Sequence, residues 1–232
     1  MPEHDAGNRR RYPWRRNLLT ALPLVILVVM IFAIFKSEDG IEDYCTAVRE
    51  ANPVFTEAVE FVSDFGNVPF YAFYIILLVT GIAKKLRSRA NFCAGYLAGL
   101  GATLILIEIL KTVVGRSRPP VEDDFIPFSF RNRYESFPSA HVTETLYTML
   151  PLSWRYGRIG LCLLLGLWPC FMAVTRLYLG EHHPTDFLGS VVVALVGSWV
   201  AWTVKRRLAA FRPKWFAKKE AGSETTDPAL LS

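Results

Sequence analysis

The spacing of its apolar blocks constrains this chain most. A hydrocarbon core of about 30 Å takes about 20 helical residues to cross. Stretches near that length fall at about 18–35, 68–83, 90–112, 142–153, 159–178 and 185–204. Inside lipid every backbone N–H and C=O must be satisfied within its own segment, so such blocks fold as helices. The reading is therefore all-α: a polytopic membrane bundle of six transmembrane helices with both termini on one side. The fourth block is the weakest, because Thr143, Glu144 and Thr145 interrupt it and Pro151 stands near its end; it is included mainly for parity. Of the 232 residues 52% are hydrophobic and 20% charged, and segregation into blocks accommodates both figures where a soluble, interleaved domain does not.

The distribution of charge sets the orientation. Lysines and arginines mark cytoplasmic loops, and they gather at 9–16, at 84–89, at Arg155 and Arg158, and from Lys205 to Lys219. Those segments read as cytoplasmic, which leaves 36–67, 113–141 and 179–184 outside. Segment 36–67 carries eight acidic residues against Lys36 and Arg49. Within it Val54, Phe55, Ala58, Val59, Phe61 and Val62 recur at helical spacing, so a short extracytoplasmic amphipathic helix is expected there. The layout is a basic tail over 1–17, a six-span domain over 18–204, and a basic segment with a disordered tail over 205–232. The net charge of +5 brackets apolar blocks instead of forming a patch, so no nucleic-acid partner is implied. Cys45, Cys93, Cys162 and Cys170 have no metal or disulfide spacing.

Ionisable groups at a membrane are costly, and those not accounted for by loops are functional candidates. Lys111, Arg116 and Arg118 close the third span, His141 opens the fourth, Arg176 ends the fifth, and His182, His183 and Asp186 open the sixth. All stand at outer ends of spans. Fixed cations beside imidazoles and a carboxylate suit an anion that is held and then attacked, and arginine forks match phosphate oxygens. The spacing is Lys111, six residues, Arg118-Pro119; then Pro138-Ser139-Ala140-His141; then Arg176, five residues, His182, three residues, Asp186.

On these three motifs the chain resembles the type 2 phosphatidic acid phosphatase family, integral-membrane lipid phosphatases with a catalytic core similar to that of vanadium haloperoxidases. The resemblance runs from about Lys111 to Asp186. It implies hydrolysis of a phosphomonoester or diphosphate of a membrane lipid through a phosphohistidine on His182. Asp186 would fix the tautomer of that ring, and His141 would serve as general acid and then base. Lys111, Arg118, Arg176, Ser139 and the Ala140 backbone would bind the phosphate, with no metal or other cofactor. Alanine stands at 140 where the family's second motif usually reads glycine, and Thr175 where serine is usual.

The implied partners are the lipid phosphate and the surrounding membrane lipids; no obligate protein partner is evident. The implied place is the bacterial cytoplasmic membrane, with both termini inside and the site facing out. A phosphotransferase passing the phosphoryl group to a sugar or lipid hydroxyl is the alternative. A metallohydrolase is disfavoured by the three cations, and a transporter by clustering of the charges at one face. Arg116 reads as an interfacial charge, His183 as a rim residue, and Glu122, Asp123 and Asp124 as a solvated loop. The roles of Glu108, Glu144, Arg131 and Arg133 stay open.

Overall fold

A computed structural model describes residues 11–119 and 125–211. The first ten residues, the acidic trio Glu122, Asp123 and Asp124, and the tail expected to be disordered lie outside them. Among the described residues there are eight α-helices: α1 (Trp14–Phe35), α2 (Glu38–Ala51), α3 (Pro53–Phe65), α4 (Val68–Ala83), α5 (Arg87–Val114), α6 (Ala140–Tyr156), α7 (Ile159–Tyr178) and α8 (Asp186–Ala210). One 3-10 turn, Asn132–Tyr134, interrupts the long α5–α6 connection.

Among the described residues five stretches have the length and apolarity to cross a membrane: Trp14–Phe35, Pro53–Ala83, Arg87–Val114, Ile159–Tyr178 and Asp186–Ala210. The weak fourth block is α6, which at 17 residues falls outside that set. Its burial accounts for its composition. Twelve of the 17 residues are buried, so α6 turns its hydroxyls toward protein. Tyr74 donates to the Thr148 carbonyl at 2.9 Å, Tyr147 donates to the Tyr96 carbonyl, and Tyr96 stacks on Tyr74 at 3.6 Å. Polar groups that would be expensive against lipid are satisfied here by neighbouring helices.

Close approach of α5 and α8 sets the ends of both helices side by side. Gly95 and Gly99, one turn apart, face Ala201 and Gly197; a Cβ on Gly99 would overlap the Gly197 carbonyl oxygen. Small residues at four-residue spacing let two backbones meet this closely. Lys111 at the end of α5 is thereby carried to the bundle end where α8 begins. Basic residues gather at the opposite end: Arg16 donates to the Trp154 carbonyl at 2.8 Å, Arg87 to the Leu208 carbonyl at 3.1 Å, and Lys205 lies 5.2 Å from the Trp202 ring centroid.

Residues 54–62, expected to form a short separate amphipathic helix, are helical in α3, but α3 falls within the apolar stretch Pro53–Ala83 that continues into α4. A second helix, α2, precedes it where no separate helix was expected: Ser37 accepts from the Gly40 amide at 3.1 Å as an N-cap, and Ile41 and Cys45 bury one side.

Candidate active site

Three connections bring the site together. Gly115 ends α5 in the left-handed region at φ 60°, and a Cβ there would overlap the Ile126 carbonyl oxygen. This glycine turns the chain back so that Arg116 and Arg118 run alongside the segment that leads into α6. Arg118 donates its amide to the Arg133 carbonyl, and Ser136 donates its amide to the Arg116 carbonyl. Gly180, at φ 68°, follows the Leu179 C-cap of α7 and opens the turn carrying His182. Arg49 of α2 holds that turn by donating to the Tyr178 carbonyl.

His182 is buried. Its Nδ1 lies 2.7 Å from the Ser136 carbonyl oxygen and 3.5 Å from Asp186 Oδ2. A carbonyl only accepts, so Nδ1 carries the proton and Nε2 keeps its lone pair. Asp186 is fully buried at the first position of α8. It accepts from Ser136 Oγ at 2.6 Å, from the His183 amide at 2.9 Å and from Arg116 Nη1 at 2.8 Å. The nearest acceptor of the His182 ring is thus a backbone carbonyl, and Asp186 braces the loop around it.

Arg118 and Arg176 converge on one carboxylate oxygen, Glu181 Oε2; Arg118 Nη1 donates to it, and Arg176 Nη2 lies 3.3 Å away. Arg176 also donates from Nη1 to Ser63 Oγ at 3.1 Å. Ser139 stands at the N-cap position of α6, its Oγ buried and without a hydrogen-bond partner among the described residues. Ala140 is the first helical residue and is absent from the positive-φ residues, so this position does not require glycine. As at any helix N-terminus, the first-turn amides of α6 have no intrahelical acceptor. His141 is the second residue of α6, and its Nε2 is 4.0 Å from Asp64 Oδ1. Lys111 stands toward the edge, 3.8 Å from Glu135 and 3.7 Å from Glu108.

A model of the PAP2 superfamily matches residues 92–210, half of the chain. The chain belongs to the PAP2 superfamily. Among curated relatives, a lipid A 1-phosphatase of Rhizobium johnstonii is 27% identical over 80% of this chain and 77% of its own. The undecaprenyl-diphosphatase of Bacillus subtilis is 28% identical over 72% and 80%. A decaprenylphosphoryl-5-phosphoribose phosphatase of Mycolicibacterium smegmatis is 32% identical over 65% and 79%. No solved structure gives a significant match.

In this PAP2 chain the structure corrects two expectations. Arg116 is 5% exposed, not an interfacial charge: besides Asp186 it donates to Thr185 Oγ1 at 2.6 Å and to Glu38 Oε2 at 2.7 Å. His183, also 5% exposed, is not a rim residue; its Nε2 meets the Ser117 carbonyl at 3.2 Å and its Nδ1 lies 3.7 Å from Glu38. Glu38 further accepts from the Thr185 amide and hydroxyl, at 3.1 and 2.6 Å. Sequence reasoning missed Glu38, Ser136 and Glu181. The N-cap pattern at Ser37 could have placed Glu38 on a helix, but nothing in the spacing linked it to position 185. Glu144 accepts from Tyr71 at 2.8 Å, and Arg131 and Arg133 are exposed.

Proposed function

We propose that the protein is an integral-membrane phosphatase that hydrolyses a phosphomonoester or diphosphate of a membrane lipid through a phosphohistidine on His182, without a metal. The observation that carries this is the His182 tautomer: a buried ring with Nδ1 tied to the Ser136 carbonyl presents Nε2 as a fixed nucleophile among cations. In the first step the Nε2 lone pair attacks phosphorus, the bond from phosphorus to the leaving oxygen breaks, and His141 protonates that oxygen. A water then attacks phosphorus while His141 takes its proton; the P–N bond breaks, its electrons return to Nε2, and phosphate departs. Arg118, Arg176, Lys111, Ser139 Oγ and the Ala140 amide hold the phosphoryl oxygens as charge moves through the transition state.

The names of the relatives support an amphiphilic substrate, a lipid A phosphate, a polyprenyl diphosphate or another lipid phosphate. The positive-inside pattern supports six crossings including α6, both termini in the cytoplasm of a bacterial cell and the site facing outward. The test is phosphate release by the purified full chain in detergent micelles with excess EDTA, across polyprenyl diphosphates, lipid A, phosphatidylglycerol phosphate and phosphatidic acid, beside short-chain soluble analogues. Release from at least one lipid, and faster than from its soluble analogue, is expected. Silence across the panel, or activity that EDTA removes, would overturn the reading.

The pH dependence has a definite sign. Burial pushes His182 below its ordinary value of 6.5; the Asp186 carboxylate opposes that shift, and the Arg176 and Arg118 guanidiniums add to it. A ring with a lowered value stays neutral and nucleophilic as pH falls through 6.5. The acid limb that His182 imposes on kcat/KM is therefore expected below pH 6.5, read from the rate of phosphoenzyme formation; a limb above it would contradict the assignment.

A further inference from the structure

One group at the arginine pair has no part in the reaction just described. Glu181 directly precedes His182, and its Oε2 takes Arg118 Nη1 and Arg176 Nη2 together. Its side chain is 35% exposed against 20% for Arg118 and 8% for Arg176, so a carboxylate from the wetter side reaches in to guanidiniums fixed in the protein. Beside it are buried polar atoms that it leaves unsatisfied: Arg118 Nε, Arg176 Nε and Ser139 Oγ have no partner among the described residues. Buried donors without acceptors are uncommon and ask for a reason. One carboxylate oxygen covers two donors here, whereas a tetrahedral oxyanion offers several oxygens in different directions. The donor set is larger than its present occupant uses.

We propose that Glu181 is a built-in competitor for the phosphate cradle, a residue that sets how tightly the site holds inorganic phosphate. The inference rests on the phosphatase reading above. Two anions cannot take the same Nη donors, so a phosphoryl group binds only after displacing the carboxylate. Apparent affinity is reduced by the fraction of time the cradle is blocked. A lipid phosphate confined to the membrane beside the site meets that competition at high local concentration, and phosphate dissolved in water does not. The same weakening therefore leaves the cradle largely free of dissolved phosphate while the confined lipid still fills it. Attachment next to His182, in a turn pinned by Gly180 and by Arg49, keeps the displaced carboxylate within reach of the arginines.

Calorimetric titration of inorganic phosphate into the full chain in detergent micelles tests this, together with inhibition by phosphate of turnover on the best lipid of the panel. Glu181→Gln keeps the shape and removes the charge; phosphate is expected to bind and inhibit about tenfold more tightly, equivalent to about 1.4 kcal/mol. Glu181→Ala should move affinity the same way, and adding Arg118→Gln to Glu181→Gln should erase the gain. Wild-type turnover with phosphate affinity unchanged in both single variants overturns the inference and leaves the phosphatase reading standing. A gain that survives in the double variant also overturns it, because the carboxylate would then act elsewhere. Neither turnover nor phosphate binding in any of these proteins overturns both.

Discussion

Exchanging His182 for alanine is expected to lower turnover of the best lipid phosphate by about 10⁴-fold or more and to abolish an acid-labile, alkali-stable phosphoprotein intermediate. Exchanging His183 is expected to leave that intermediate in place. The two rings are neighbours in sequence, and their surroundings separate them. Nδ1 of His182 is bonded to a carbonyl, which leaves Nε2 with a lone pair for phosphorus. Both nitrogens of His183 face acceptors, the Ser117 carbonyl and the Glu38 carboxylate. Rapid quench with a phosphorus-labelled lipid would follow the protein-bound label in wild type and both variants. Label retained in the His182 variant at wild-type level would transfer the nucleophile elsewhere, and the tautomer argument would fail with it.

Sequence made the ends of the helices legible, and for a physical reason. Charges near lipid are so costly that their positions are constrained, which is why Arg118, Arg176, His182 and Asp186 could be picked out before any geometry. The partners that hold them were hidden because they come from far along the chain. Glu38 reaches Thr185 across 147 positions and Arg116 across 78, and a pattern with a period of 3.6 residues carries no information on such pairs. The same limit explains α6. Hydropathy detects helices that face lipid, whereas α6 pairs its Thr148 carbonyl with Tyr74 of α4 and its Tyr147 and Thr148 hydroxyls with Tyr96 of α5 and so gives a weak apolar signal. The phosphate motifs singled out the His182 ring itself; which acceptor takes its proton is set by the backbone of Ser136, and backbone acceptors are the same in every sequence.

Replacing Arg116 by leucine is expected to lower kcat by about 10³-fold with a much smaller change in KM. Asp186 is wholly buried, and Arg116 is its cationic partner at 2.8 Å. Removing one member of a buried pair leaves an uncompensated charge and costs about 3–5 kcal/mol; a solvent-exposed pair is worth about 1 kcal/mol or less. That cost falls on the turn holding His182, because the same carboxylate accepts from Ser136 Oγ and the His183 amide. Arg116 also bridges to Glu38, which fixes Thr185 at the entry to α8. Lysine at 116 keeps the charge but cannot fork between two carboxylates and a hydroxyl, so Arg116→Lys should recover only part of the lost kcat. Glu38→Gln removes the second carboxylate, keeps an acceptor for Thr185, and is expected to lower kcat by about 10- to 100-fold, on the scale of the roughly 1.5–3 kcal/mol of one charge-assisted hydrogen bond. Thermal unfolding followed by tryptophan fluorescence separates loss of the fold from loss of alignment. A folded Arg116→Leu protein with undiminished kcat would mean that Asp186 braces the His182 turn without a cationic partner, and the chain from Glu38 through Arg116 to Asp186 would then have no bearing on the chemistry.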